Sequence, residues 1–201
     1  MSTCSVGDMS SDYEKSKLLI YLAGHSARDH NLFRAYLSVI ESMSSNYEIR
    51  RSLTALGPFY DMDDSTLLNV LNITDQISSD YERSQILQDM VSEVNRSSQI
   101  RKALLNSVDD ISSDYESSKI LRDVIEKLSF DDEDAVRDII AQAEQISSDY
   151  EKAQVLGDLI PNLRGKSELE NDLADAIESI SSSYERDRLY AELFRRTRGK
   201  R

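Results

Sequence analysis

The sequence contains little of what proteins use to form disulfides, tight turns and metal sites. Among 201 residues there is one cysteine, Cys4, and there are only two prolines, six glycines and two histidines. A single cysteine excludes an intrachain disulfide and a thiolate metal cluster. The scarcity of helix-breaking residues, with 39% hydrophobic and 30% charged residues, favours a helical protein with a real core.

Long apolar runs and an excess of basic residues are also missing. No stretch approaches the roughly 18 to 20 apolar residues that a membrane helix needs, and residues 1–8 lack the basic and then apolar pattern of a signal peptide. The formal net charge is −13, whereas a phosphate backbone is bound by clustered Lys and Arg. We therefore predict a protein or peptide partner, no nucleic acid and no membrane insertion.

One eleven-residue segment occurs six times. It reads ISSDYERSQIL at residues 77–87, and its copies begin at residues 9, 43, 77, 111, 146 and 180. Intervals of 34 or 35 residues are typical of stacked helical hairpins. We predict an all-α fold, a right-handed α-solenoid of five helical hairpins plus a C-terminal capping helix. This single repeat domain covers residues 9–194, between an N-terminal segment (1–8) and a basic tail (195–201).

Each residue type of this segment has a predicted structural role. Ser79 is predicted to cap the first helix by accepting from the backbone amide of Glu82, whose carboxylate reaches back to the serine amide. Asp80 places negative charge where the helix dipole favours it. The tyrosine lies close to the small residue Ser84 on the helical wheel, so we predict that it is buried at the junction between repeats, its hydroxyl bonded across. Phosphorylation or ligand stacking is the alternative role. The tyrosines of this row are Tyr13, Tyr47, Tyr81, Tyr115, Tyr150 and Tyr184.

A second row of polar residues is predicted to bind a partner. One position is Lys, Arg or Gln in every copy, and an acidic residue follows four positions later in most copies. Stacked repeats align equivalent side chains into an extended surface, while a solvated face of salt bridges is the alternative. This ladder consists of Lys17, Arg51, Gln85, Asp89, Lys119, Asp123, Gln154, Asp158 and Arg188.

No residue pattern indicates catalysis. His25 and His30 lack the HExxH spacing, and the acidic runs near 61–64 and 131–134 lack the glycine and terminal glutamate of a calcium loop. A GxSxG elbow is absent as well. We expect no catalytic residue, no metal and no cofactor.

The segment SSDYERSQIL resembles the helical repeat of several bacterial proteins. These include the extensions that follow the membrane metallopeptidase domain of penicillin-sensor-type antirepressor proteases. The resemblance covers nearly the whole chain and concerns capping and packing residues, so it implies a solenoid of helical repeats and a bacterial origin. The compartment, cytoplasm or periplasm, stays open. No peptidase residue carries over, and tetratricopeptide repeats share only the period.

Two functions are consistent with this reading. The first is a non-catalytic interaction or scaffold module built from helical repeats. The alternative is a regulatory or sensor fragment of a larger bacterial envelope protein, such as a membrane metallopeptidase.

The first repeat is unusually apolar for a terminal one. Ile20 and Tyr21 stand at the registers of Gln88 and Asp89 in the third copy, although terminal repeats normally present a polar outer side. We therefore expect a cover, either a preceding part of a longer chain or a second copy in a homodimer through the N-terminal repeat.

Overall fold

A computed structural model describes residues 9–26, 30–57, 59, 62–163 and 165–197. All regular secondary structure in these ranges is helical, which confirms the predicted all-α class. The chain divides into two compact units, Met1–Glu93 and Val94–Arg201.

The described part of the first unit contains five α-helices, three of which begin at a repeated segment. They are α1 (Asp12–Ser26), α2 (His30–Glu41), α3 (Asn46–Thr54), α4 (Asp64–Thr74) and α5 (Asp80–Met90), the last followed by a 3₁₀ turn at Val91–Glu93. Helix α3 packs against α1 and α5, and α2 contacts α4. Helices that begin at the repeated segment are therefore neighbours of one another.

The second unit repeats this arrangement in its described residues. Its helices are α6 (Ser98–Asp109), α7 (Asp114–Lys127), α8 (Glu133–Gln145), α9 (Asp149–Leu159), α10 (Ser167–Glu178) and α11 (Ser183–Thr197), with a 3₁₀ turn at Ile160–Asn162. Helix α9 packs against α7 and α11, while α8 packs against α6 and α10. We call α1, α3, α5, α7, α9 and α11 the first helices, because each begins at a repeated segment.

The second serine of every repeated segment caps its helix. Ser79 Oγ accepts from the amide of Glu82 at 3.4 Å, and the extended backbone of Ser79 is the usual N-cap conformation. Ser11, Ser45, Ser113, Ser148 and Ser182 form the equivalent bond. The predicted caps are confirmed in all six copies.

The predicted apolar stripes form the core of each unit. In the first unit, Ile86, Leu87 and Met90 of α5 are fully buried. In the second unit, Ile100 and Leu104 of α6 are fully buried as well. Their spacing of three and four residues puts them on one side of each helix.

Basic residues also enter the interior, next to helix C-termini. Arg83 is buried, and it donates to the carbonyl oxygens of Asp75 at 2.7 Å and Ile77 at 3.0 Å, just beyond α4. Lys15, at the same register, donates to the Ser42 carbonyl oxygen beyond α2 at 3.4 Å. Carbonyls at a helix C-terminus carry partial negative charge, so they compensate these buried cations.

Candidate interaction surface

The aspartate of the repeated segment joins one first helix to the next. Asp12 Oδ2 accepts from the backbone amides of Ser44 and Ser45, each at 2.8 Å. In the second unit Asp114 bonds the amides of Ser147 and Ser148, and Asp149 bonds those of Ser181 and Ser182. These bonds bring the helix N-termini together in pairs, α1 with α3, α7 with α9, and α9 with α11.

In the second copy an asparagine replaces this aspartate. Asn46 Oδ1 accepts from the amide of Ser78 at 3.3 Å, and Asn46 Nδ2 donates to Ser78 Oγ at 3.0 Å. The N-termini of α3 and α5 are thereby linked as well.

These links correct half of the predicted capping box. The amides of Ser45, Ser148 and Ser182 donate to the preceding aspartate, so the glutamate does not occupy them. Two of the glutamates contact the preceding first helix instead. Glu82 pairs with Arg50, and Glu151 accepts from Ser118 Oγ. The Ser-x-x-Glu pattern could not reveal that an aspartate one full repeat earlier in the sequence takes the place of the glutamate at the serine amide.

The electrostatics of the Asp12 carboxyl agree with this role. Burial raises its pKa, but the amides of Ser44 and Ser45, the Ser44 hydroxyl and the Lys15 ammonium outweigh that effect and hold the pKa below its usual value. Hydrogen bonds to the charged form favour that form. The carboxylate therefore serves as an ionised acceptor.

The tyrosine row is exposed, so the prediction that it is buried at the junctions is wrong. The exposed fractions are 54% for Tyr13, 50% for Tyr47, 58% for Tyr81, 60% for Tyr115, 58% for Tyr150 and 73% for Tyr184. The tyrosine is the second residue of its helix, and helical side chains lean toward the N-terminus. It therefore extends past the first turn rather than into the contact between helices, which the neighbouring aspartate makes.

Each tyrosine stands beside a ladder residue four positions later. Arg51 lies over the ring of Tyr47, with its guanidinium carbon 5.5 Å from the ring centre, and Arg50 lies at 5.3 Å. Such distances are within the range of a cation–π interaction. We call the repeated tyrosines of each unit, together with the ladder residues beside them, the tyrosine face of that unit. It consists of Tyr13, Tyr47, Tyr81, Lys17, Arg51 and Gln85 in the first unit, and of Tyr115, Tyr150, Tyr184, Lys119, Gln154 and Arg188 in the second.

Several ladder residues already have partners within their own helix. Arg51 pairs with Glu48 at 2.9 Å and Arg188 with Glu185 at 2.8 Å. Gln85 donates to Gln88 at 3.2 Å. These contacts orient the polar side chains close to the tyrosines.

The rest of the ladder is more varied. Asp158 pairs with Arg122 of the preceding first helix at 2.7 Å. Burial raises the pKa of Asp89, while Arg50 and a hydrogen bond from Thr54 act in the opposite direction. Lys17 is exposed, whereas Lys119, Asp123 and Gln154 are half-buried.

Features typical of other kinds of site are few among the described residues. A cavity of about 40 Å³ beside Ile111 and Ser117 has room for only one or two waters. In the described ranges, no three His, Cys, Asp or Glu side chains cluster as a metal site would require, and no helix there has the length and apolarity to cross a membrane. Cys4 and the loop residues 27–29 lie outside the described residues.

Comparison with known proteins adds no relative. Neither a protein-family model, nor a curated protein, nor a solved structure matches the chain. The surface of the described residues is therefore the basis for a functional proposal.

Proposed function

We propose that the chain is a non-catalytic interaction or scaffold module and that the tyrosine face binds a protein or peptide partner. The observation that carries this proposal is the exposure of six tyrosines at one register, each at least half exposed. A side chain that is at least half exposed contributes little to packing, so burial does not explain an aromatic residue at this position. The repetition of an exposed aromatic side chain is better explained by contact with a partner.

The composition of the face supports a protein partner. Tyrosine and arginine are enriched at protein interfaces and among the residues that dominate binding energy. A tyrosine ring offers a large contact area and loses little side-chain entropy on binding. In Tyr47 the ring already lies beneath two guanidinium groups, so its environment is prepared for a partner that brings carboxylate or polar groups.

The arrangement of the helices supports an extended site. Links between N-termini repeat from α1 to α3 and from α3 to α5 in one unit, and from α7 through α9 to α11 in the other. Neighbouring packed helices are about 8–10 Å apart, so the tyrosines of each unit follow one another at that spacing. A right-handed α-solenoid over residues 9–194 is the architecture that we propose for this surface.

Replacing Tyr115, Tyr150 and Tyr184 together by serine is expected to abolish partner binding and leave the helix content intact. One tyrosine that dominates binding contributes about 2 kcal/mol or more, so loss of three should weaken binding more than about thirtyfold. The wild type and the variant are each immobilised and exposed to an extract of the native organism, and quantitative mass spectrometry compares the proteins that each one retains. The affinity of the recovered partner for both chains is then measured.

A matched control changes three exposed residues of the second unit that lie outside the face. Lys102, Asn106 and Glu144 are exposed on α6 and α8, and their replacement by serine should leave retention unchanged. If the tyrosine variant retained the partner as well as the wild type does, the result would contradict the proposal that the tyrosine face binds it.

Two further functions remain proposals. The resemblance to extensions of bacterial membrane metallopeptidases supports a regulatory or sensor fragment of an envelope protein, which the complete reading frame would test. The exposed Ile20 (36%) and Tyr21 (77%) also admit a homodimer through the first repeat, which competes with the inference drawn below; a dimer of the wild-type chain in solution would support it, and a monomer would exclude it.

A further inference from the structure

The first helices have two different sides that meet neighbouring first helices. The side that faces the following repeat carries the aspartate and a residue four positions later, such as Arg50 or Ser118. The side that faces the preceding repeat carries the serine amides and the glutamate, such as Glu82 or Glu151. We call these the forward side and the rear side.

Further contacts extend both sides along the helix. Arg122 on the forward side of α7 meets Asp158 on the rear side of α9. A Cβ at Gly157 on the forward side of α9 would lie 3.3 Å from Leu189 on the rear side of α11. Where two first helices pack together, residues at defined positions of the forward side therefore contact residues at defined positions of the rear side.

The rear side of α1 is open at these registers. Glu14 is exposed, Leu18 is half-buried, and Tyr21 is 77% exposed. At the register of Leu18, the residues Val155 and Leu189 of α9 and α11 are fully buried. Helix α1 therefore presents the same kind of surface that a preceding first helix covers in α9 and α11.

The forward side of α11 is open too, but its residues do not match α1. Ser183 replaces the aspartate, so it supplies no carboxylate to serine amides. Asp187 is exposed where Ser118 and Ala153 are buried in other copies. In a head-to-tail contact between two chains, Asp187 would face Glu14, whereas Arg50 faces Glu82 within the chain. Like charges at such a contact are repulsive, so the end of a second copy is a poor occupant.

We infer that the rear side of α1 is a docking site for a helix of the same repeat type carried by another protein. That helix brings a carboxylate to the amides of Ser10 and Ser11 and a basic or small residue to Glu14. Leu18 and Tyr21 supply the apolar part of the contact. This inference is independent of the tyrosine face, because it uses a different side of α1 and none of the residues of that face.

The test converts the chain's own α11 into a helix with the required forward side. Ser183→Asp with Asp187→Arg should restore the carboxylate and oppose a positive charge to Glu14 of a second copy. A head-to-tail contact that does not close generates chains of molecules. Light scattering should then show a mass that rises with concentration above the monomer mass of 22.9 kDa, whereas the wild type should remain a monomer.

A charge reversal supplies the control. Adding Glu14→Arg to the double variant places like charges together again and should return the mass to that of the monomer. Circular dichroism should be unchanged in all variants, since every altered side chain is exposed. Assembly that survives Glu14→Arg would overturn the inference, because it would not use the rear side of α1.

Other occupants give different results, and each would overturn the inference. A folded double variant that stays monomeric would show that α1 does not accept such a helix. Assembly that appears only after removal of residues 1–8 would identify those residues as the cover. A wild-type dimer that Tyr21→Glu dissociates would identify a second copy instead.

A second variant keeps the test decisive if the double variant folds poorly. In this variant a second copy of residues 146–179 replaces residues 1–8 and is joined directly to Met9. The chain is thereby extended by one repeat in the same register. The thermal midpoint should rise relative to a chain that begins at Met9, and Asp149→Ala in the added copy should reduce the gain. An unchanged midpoint would contradict docking on α1.

Discussion

Leu121→Ala is expected to lower the free energy of unfolding by about 3 kcal/mol, which is within the usual cost of emptying a buried leucine site. Tyr115→Ala on the same helix is expected to lower it by less than about 1 kcal/mol, as most surface substitutions do. The difference follows from their positions, because Leu121 is 1% exposed and Tyr115 is 60% exposed. The larger aromatic side chain thus has the smaller effect on stability.

Urea unfolding followed by circular dichroism measures both values. Because both residues lie in α7, each variant serves as the control for the other. A loss at Tyr115 equal to or greater than that at Leu121 would restore the tyrosines to a packing role and remove the main support for the tyrosine face.

Asp149→Ala is expected to lower the free energy of unfolding by about 2 kcal/mol, since hydrogen bonds to a charged group contribute roughly 1.5–3 kcal/mol. Asp149 accepts from the amides of Ser181 at 3.0 Å and Ser182 at 2.7 Å. Alanine leaves both amides to water and removes a direct link between α9 and α11. The same urea titration gives the value.

Two further substitutions isolate the cause of that loss. Asp149→Asn should cost less than Asp149→Ala, because Asn46 makes a comparable link in the second copy. Asp131→Ala removes an exposed carboxylate and should change stability by no more than about 0.5 kcal/mol. Equal losses for Asp149→Ala and Asp131→Ala would show that the link contributes nothing measurable.

The parts of the fold that depend on nearby residues could be predicted from the sequence. Ser79 caps its helix because its acceptor and the amide of Glu82 lie within one turn. Ile86, Leu87 and Met90 are buried because their spacing matches the helical period. Both features are set within a few residues, and both recur at each repeat.

The role of the tyrosine could not be predicted in the same way. At about 100° per residue, Tyr115 lies roughly 60° from the buried residue Ser118 and roughly 40° from Lys119, on the half-exposed side. The helical wheel places it near the boundary between the two sides. The lean of the side chain toward the N-terminus decides in favour of solvent.

The links between repeats were missed for a different reason. Asp12 and Ser45 are 33 residues apart, and the sequence offers a local explanation for each of them in the helix dipole and the capping box. The repeated Ser-Ser pair was the available signal, because two consecutive amides at a helix start suit one carboxylate with two oxygens.

The buried basic residues illustrate the same difficulty. Arg83 would be assigned to the surface by its charge, yet its guanidinium donates to carbonyl oxygens just beyond α4. Only the position of a helix C-terminus, which depends on packing, provides those acceptors.

The exposure of the repeated tyrosines is the central claim, and selective labelling tests it most directly. N-acetylimidazole acetylates accessible tyrosine hydroxyls, and peptide mass spectrometry locates the modified residues. Tyr36 is the internal reference, because it is 2% exposed and its hydroxyl donates to the Ser52 carbonyl oxygen at 2.7 Å. The native protein should be labelled at Tyr13, Tyr47, Tyr81, Tyr115, Tyr150 and Tyr184 and protected at Tyr36 until it is unfolded. Protection of the six repeated tyrosines to the same degree as Tyr36 would contradict the account.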